Sequence, residues 1–123
     1  MDDTGDDTAT WSGPERDHPL SITAGILGKK WHPVLMSQLL KKGPLGFNEL
    51  KTQVDGISDK VLSESLDDLQ EKEIVERTVI DDKPVRVEYS LTKWGRALEP
   101  AIRAMEEWGR RYVGDADDPG EHR

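Results

Sequence analysis

The sequence predicts a mainly α domain that carries one small β-hairpin, and three observations predict it. Apolar residues recur at helical spacing from Ile22 to Leu69, in segments punctuated by Gly28, Gly43-Pro44 and Gly56. Two β-rich runs, residues 74–80 and 85–91, flank the polar turn Asp81-Asp82-Lys83-Pro84. A final apolar stripe at helical spacing then runs from Trp94 to Tyr112.

Each element has its own local reason. Ser21 is the expected N-cap of a short first helix that carries Ile22, Ile26 and Leu27 and stops at Gly28. A second helix starts near Trp31, with Pro33 in the first turn, where a missing N–H costs nothing. Trp31, Leu35 and Leu39, with Val34, Met36 and Leu40, form its stripe, and Gly43-Pro44 ends it. Asn48 is the expected cap of a third helix, which turns Leu50 and Val54 inward and closes at Gly56. Ser58 caps a fourth, with Asp59 favourably placed in its first turn. Ile57, Val61, Leu62, Leu66 and Leu69 fall on one side of that helix, and Lys60, Ser63, Glu64 and Asp67 on the other. Alternation of Val85, Val87 and Tyr89 makes the following runs a hairpin. Thr92 caps the last helix, which Pro100 should kink or divide after Glu99. Helix, helix, helix, hairpin is the order of a winged helix-turn-helix.

The chain has 123 residues, room for one domain. Its net charge of −8 is unevenly spread. Residues 1–20 hold six acids against one arginine, and residues 113–123 hold four against one, so residues 21–112 are neutral with fifteen of each sign. Both ends are poor in large apolar side chains. The expected organisation is an acidic disordered tail over 1–17, a winged helix-turn-helix with its closing helix over 18–113, and a second acidic disordered tail over 114–123. Asp exceeds Glu, 14 to 11, a composition suited to a halophilic protein in molar salt. No run is apolar enough to span a membrane, and the acidic start lacks a signal peptide's apolar core, so a cytoplasmic location is expected. Cysteine is absent, which removes disulfides and thiol chemistry.

Catalysis and metal binding find little support. His18, His32 and His122 have no paired ligand spacing. The carboxylates lie on outward helix faces and tails, Ser63 and Ser65 lack nucleophile-elbow glycines, and no Gly-rich phosphate loop occurs. No enzyme activity, cofactor or metal is expected. Binding is better supported. The helix opening at Ser58 follows a compact helix–turn unit, and the N-terminal residues of such a helix reach base edges in the major groove. Lys60 can reach a phosphate or guanine; Ser58, Ser63 and Glu64 lie on the same outward face. Arg77, Lys83 and Arg86 sit on the hairpin, where a wing touches the DNA backbone or minor groove, although Asp81-Asp82 at its tip would repel phosphate. The alternative for Lys60, Ser58 and Ser63 is a cap and a solvated face, and for Arg86 a cross-strand pair with Glu76 or Glu88. Ile22 and Ile26, with Trp94, Leu98, Ile102, Met105, Trp108 and Tyr112, exceed what one small subunit can bury, so a two-fold dimer is expected.

Residues 18 to about 110 resemble the HxlR-type branch of the MarR-like winged-helix superfamily, small dimeric transcription regulators. The resemblance lies in Gly28-Lys29-Lys30-Trp31, Phe47-Asn48-Glu49-Leu50, Gly56-Ile57-Ser58-Asp59-Lys60-Val61-Leu62, Arg86-Val87-Glu88-Tyr89-Ser90-Leu91-Thr92 and Glu107-Trp108-Gly109. It implies a homodimer with interlocked terminal helices, whose paired recognition helices read a pseudo-palindromic site on double-stranded DNA. Pro100 resembles a proline common at that place. Two departures stand out. Many relatives carry a cysteine before the first helix, where this chain has His18-Pro19, so thiol sensing is excluded here. Relatives also tend to carry Gln, Arg or other bases along the outward recognition face, where Glu64, Asp67 and Asp68 stand here, which lowers the expected backbone affinity. Two functions are left in competition: a sequence-specific DNA-binding regulator, and a winged-helix module that keeps the dimer but reads protein. No convergent polar groups mark a small-molecule effector site.

Overall fold

A computed structural model of the chain describes residues 18–117; the expected tail over 1–17 and residues 118–123 lie outside the described part. The first helix, α1 (Pro19–Leu27), starts before its expected cap. His18 takes the capping role in place of Ser21, its Nδ1 accepting the Leu20 N–H at 3.1 Å, with Pro19 at the first helical position. An imidazole nitrogen serves as the acceptor that the exposed N–H groups need, and a proline there forfeits none. Helix α2 (His32–Lys42) carries Pro33 in its first turn and ends at Gly43, whose φ of 82° only glycine adopts readily.

The chain next makes a contact that the sequence reading missed. Leu45 pairs with Tyr89 in an antiparallel bridge, donating to the Tyr89 carbonyl at 3.0 Å and accepting from its N–H at 2.8 Å. Helix α3 (Phe47–Gln53) is capped at Gly46 instead of Asn48, which lies inside the first turn. Glycine has no capping oxygen, but Glu49 reaches back to the Gly46 N–H at 2.7 Å and does half the work of a capping box. Gly56, at φ 89°, then turns the chain into α4 (Asp59–Glu71), which Ser58 caps through the Val61 N–H at 3.1 Å.

The hairpin pairs β1 (Val75–Asp82) with β2 (Val85–Leu91), β1 starting one residue later and ending two residues later than the expected run. Val75 faces Leu91, Arg77 faces Tyr89 and Val79 faces Val87; Ile80 is the extra residue of a bulge, beyond which Asp81 faces Arg86. Only the inner end, at Val75, Tyr89 and Leu91, is buried. The remainder projects from the body. Leu45 covers part of the free edge of β2 and so braces the hairpin from the α2–α3 turn.

The expected closing helix is two helices, α5 (Lys93–Ala97) and α6 (Glu99–Asp117), divided at Leu98. Thr92 caps α5, accepting from Gly95 N–H at 3.2 Å while donating to the Glu73 carbonyl at 2.7 Å. Pro100 falls in the first turn of α6, where its missing N–H costs no bond within that helix. Helix α6 continues to Asp117, past the expected domain end at 113 and into the stretch expected as an acidic tail. The core is closed by Leu35 and Met36 of α2, Leu50 of α3, Leu62, Leu66 and Leu69 of α4 and Ile102 of α6, all 2% exposed or less. No helix among the described residues is long and apolar enough to cross a membrane.

Candidate nucleic-acid interface

Helices α3 and α4 with the Gly56 turn make the helix-turn-helix, and α4 presents its capped start to solvent. Ser58, Lys60, Ser63 and Glu64 are all exposed. Lys60 Nζ lies 3.6 Å from Glu64 Oε2, both side chains well in solvent at 82% and 63% exposure. Such a pair is worth about 0.5 kcal/mol or less and is screened by salt, so little holds Lys60 back from another anion. Ser58 Oγ accepts the cap bond but keeps its proton to donate.

The outward face of α4 is acidic at Asp59, Glu64, Asp67 and Glu71. Two of the α4 carboxylates are engaged by neighbouring cations or imidazole. Asp59 is paired with Lys51 of α3 at 3.1 Å. Asp68, expected on the outward face, turns inward and takes the Nε2 of His32 at 2.8 Å and Nζ of Lys72 at 2.7 Å. Burial alone would raise the Asp68 carboxyl, but hydrogen bonds from Lys72 and His32, with the charges of Lys72 and Lys29, hold it below the usual carboxylate range.

Arg77, Lys83 and Arg86 are exposed along the hairpin and have no ion-pair partner among the described residues. Register rules out both cross-strand alternatives for Arg86: its cross-strand neighbour is Asp81, Glu76 lies across from Ser90 nearer the hairpin's root, and Glu88 stands on the same strand as Arg86. Asp81 turns its Oδ1 back onto the Lys83 N–H at 3.2 Å, which uses one tip carboxylate to shape the turn. Val79, Ile80 and Val85 stay exposed on the same hairpin.

The apolar face expected for a partner subunit separates into two parts. Trp94, Met105, Trp108 and Tyr112 are 61%, 43%, 66% and 62% exposed, and the Trp108 and Tyr112 rings stack at 4.9 Å. Ile22, Ile26 and Leu98 are half-buried. Ile102 is the exception: at 2% exposure it is covered within its own chain and offers a partner nothing. Leu20 and Val113, at 74% and 56%, extend the exposed apolar set at the two ends.

Comparison with known proteins places this arrangement. The family profile described as HxlR-like helix-turn-helix matches residues 26–117. The chain is 37% identical over 92 residues to the HTH-type transcriptional regulator YodB of Bacillus subtilis, covering 75% of this chain and 81% of that protein. It is 31% identical over 120 residues to an uncharacterised HTH-type transcriptional regulator of Methanothermobacter thermautotrophicus, covering 98% of this chain and 86% of the other. Among solved structures, the reduced form of the redox regulator HypR superposes with a TM-score of 0.73 at 33% identity, over 85% of this chain and all of that one. Reduced YodB superposes with a TM-score of 0.67 at 36% identity, over 78% and 94%.

Proposed function

The chain belongs to the HxlR-like helix-turn-helix family of transcription regulators, and from that premise we propose that it reads a pseudo-palindromic operator as a homodimer. Helix α4 enters the major groove, with Lys60 and Ser63 at base edges and Ser58 on phosphate. The hairpin lies along the flanking backbone, held there by Lys83 and Arg86 and at its root by Arg77. Trp108, Tyr112 and Met105 meet their counterparts across the two-fold axis. The observation that carries this reading is the pairing of an exposed, side-chain-capped α4 start with a projecting hairpin whose three cations are unpaired among the described residues.

A second reading has one observation of its own. The acidic outward face of α4 is better suited to a basic protein surface than to phosphate. Fluorescence anisotropy on an operator selected from random duplexes separates the two. The DNA reading expects the selected duplex to outcompete random DNA and Lys60→Ala to lose about 1–3 kcal/mol of that preference. Equal binding of all sequences, or none, sinks it in favour of the protein-reading module.

A further inference from the structure

Apolar packing sets which face of a helix turns inward, and directional bonds refine its roll. Leu62, Leu66 and Leu69 bury α4 against the core and set which face turns inward, but the hydrophobic term that drives their burial is non-directional and leaves the fine roll to directional bonds. Directional bonds from α4 side chains to other helices are two among the described residues: Asp59 to Lys51 at the exposed start, and Asp68 to His32 near the end. The second is the more constraining, because His32 is 3% exposed and the bond is 2.8 Å long.

We propose that the His32–Asp68 tether is the positioning element of DNA reading, setting the roll of α4 about its axis and so the direction in which Lys60 and Ser63 face. The ionised Asp68 can only accept, so Nε2 donates. His32 Nδ1 is buried and has no partner among the described residues, where the imidazole is held by one bond. That bond runs from the first turn of α2 to the last turn but one of α4, and Lys72 steadies the other carboxylate oxygen. A side chain kept in the core at the expense of an unpartnered nitrogen is a poor choice for stability, since an apolar residue of similar size would avoid the desolvation. Its use is directional.

The inference rests on the DNA reading above, and the test keeps the two apart. The ratio of operator to random-duplex affinity is measured for wild type first; no preference in wild type sinks the DNA reading itself. His32→Leu removes the donor and His32→Gln keeps one at the Nε2 position. Both are assayed at a temperature where circular dichroism reports a folded chain. The expected result is a loss of the operator preference by about tenfold in His32→Leu, the size of one lost base contact, and a ratio near wild type in His32→Gln. An unchanged ratio in His32→Leu, or an equal loss in both folded variants, overturns the proposal. Should His32→Leu not fold, Asp68→Ala, cut at the partly exposed end of the tether, carries the same two outcomes.

Discussion

Glu73 holds a φ of 61°, in the left-handed region where a side chain costs about 1 kcal/mol. The turn demands it. Ile74 N–H bonds the Leu69 carbonyl and Glu73 N–H bonds the Gln70 carbonyl, the paired bonds of a helix stop that needs a left-handed residue between them. Glu73→Gly should therefore raise stability by about 1 kcal/mol, read as a denaturation midpoint; a lower midpoint would mean that the side chain makes a contact worth more than the strain. Asp68 makes the pH prediction at the same scale. Its folded pKa is depressed, so its contribution to stability is full above the unfolded value of about 3.9 and fades as pH falls through the folded value. Between pH 5 and pH 3 the wild type should lose more stability than Asp68→Asn. Parallel curves for the two would refute the tether's electrostatic part.

Elements were legible where a local signal and the burial pattern agreed. Ser58, Thr92 and Gly43 do in the structure what their chemistry suggested, because capping and positive φ are decided within a few residues, whereas α3 closes at Gln53, before Gly56, which serves the turn into α4 instead. Caps failed where an unusual group served instead: His18 in place of Ser21, and Glu49 reaching back to Gly46 in place of Asn48. Long-range partners were invisible, since nothing in the chain links Leu45 to Tyr89 or His32 to Asp68 before the fold brings them together. Ile102 shows the limit of periodicity: it shares the apolar stripe of α6 with Met105 and Trp108, yet lies on the half that the body covers. Within the interface, α4 and the hairpin should answer differently to salt. Each phosphate contact contributes about 0.9 to the slope of log affinity against log salt. Lys83→Ala should flatten that slope by about one contact for every sequence, whereas Lys60→Ala should lower operator preference more than slope. Identical effects of the two on slope and preference would contradict the division of labour.

At the scale of the whole molecule, residues 21–112 are electrically neutral, and the exposed aromatic face of α6 has no cover among the described residues. Trp108 and Tyr112 stacked in solvent are a cost unless a second copy meets them. Trp108→Glu should leave the fold intact, as the side chain is 66% exposed, and convert a dimer to a monomer in light scattering; a wild-type monomer at micromolar concentration would remove the dimer from the account. A body without net charge gains little from long-range attraction to phosphate, and the proposed dimer offsets this by placing two copies of α4 and hairpin on one duplex. The most direct measurement is the mass of the complex between the chain and its selected operator, taken by sedimentation in the presence of excess random duplex. Two chains on each operator are expected, held while random DNA stays free. One chain per duplex, or operator and random DNA bound alike, would contradict the dimeric DNA reading.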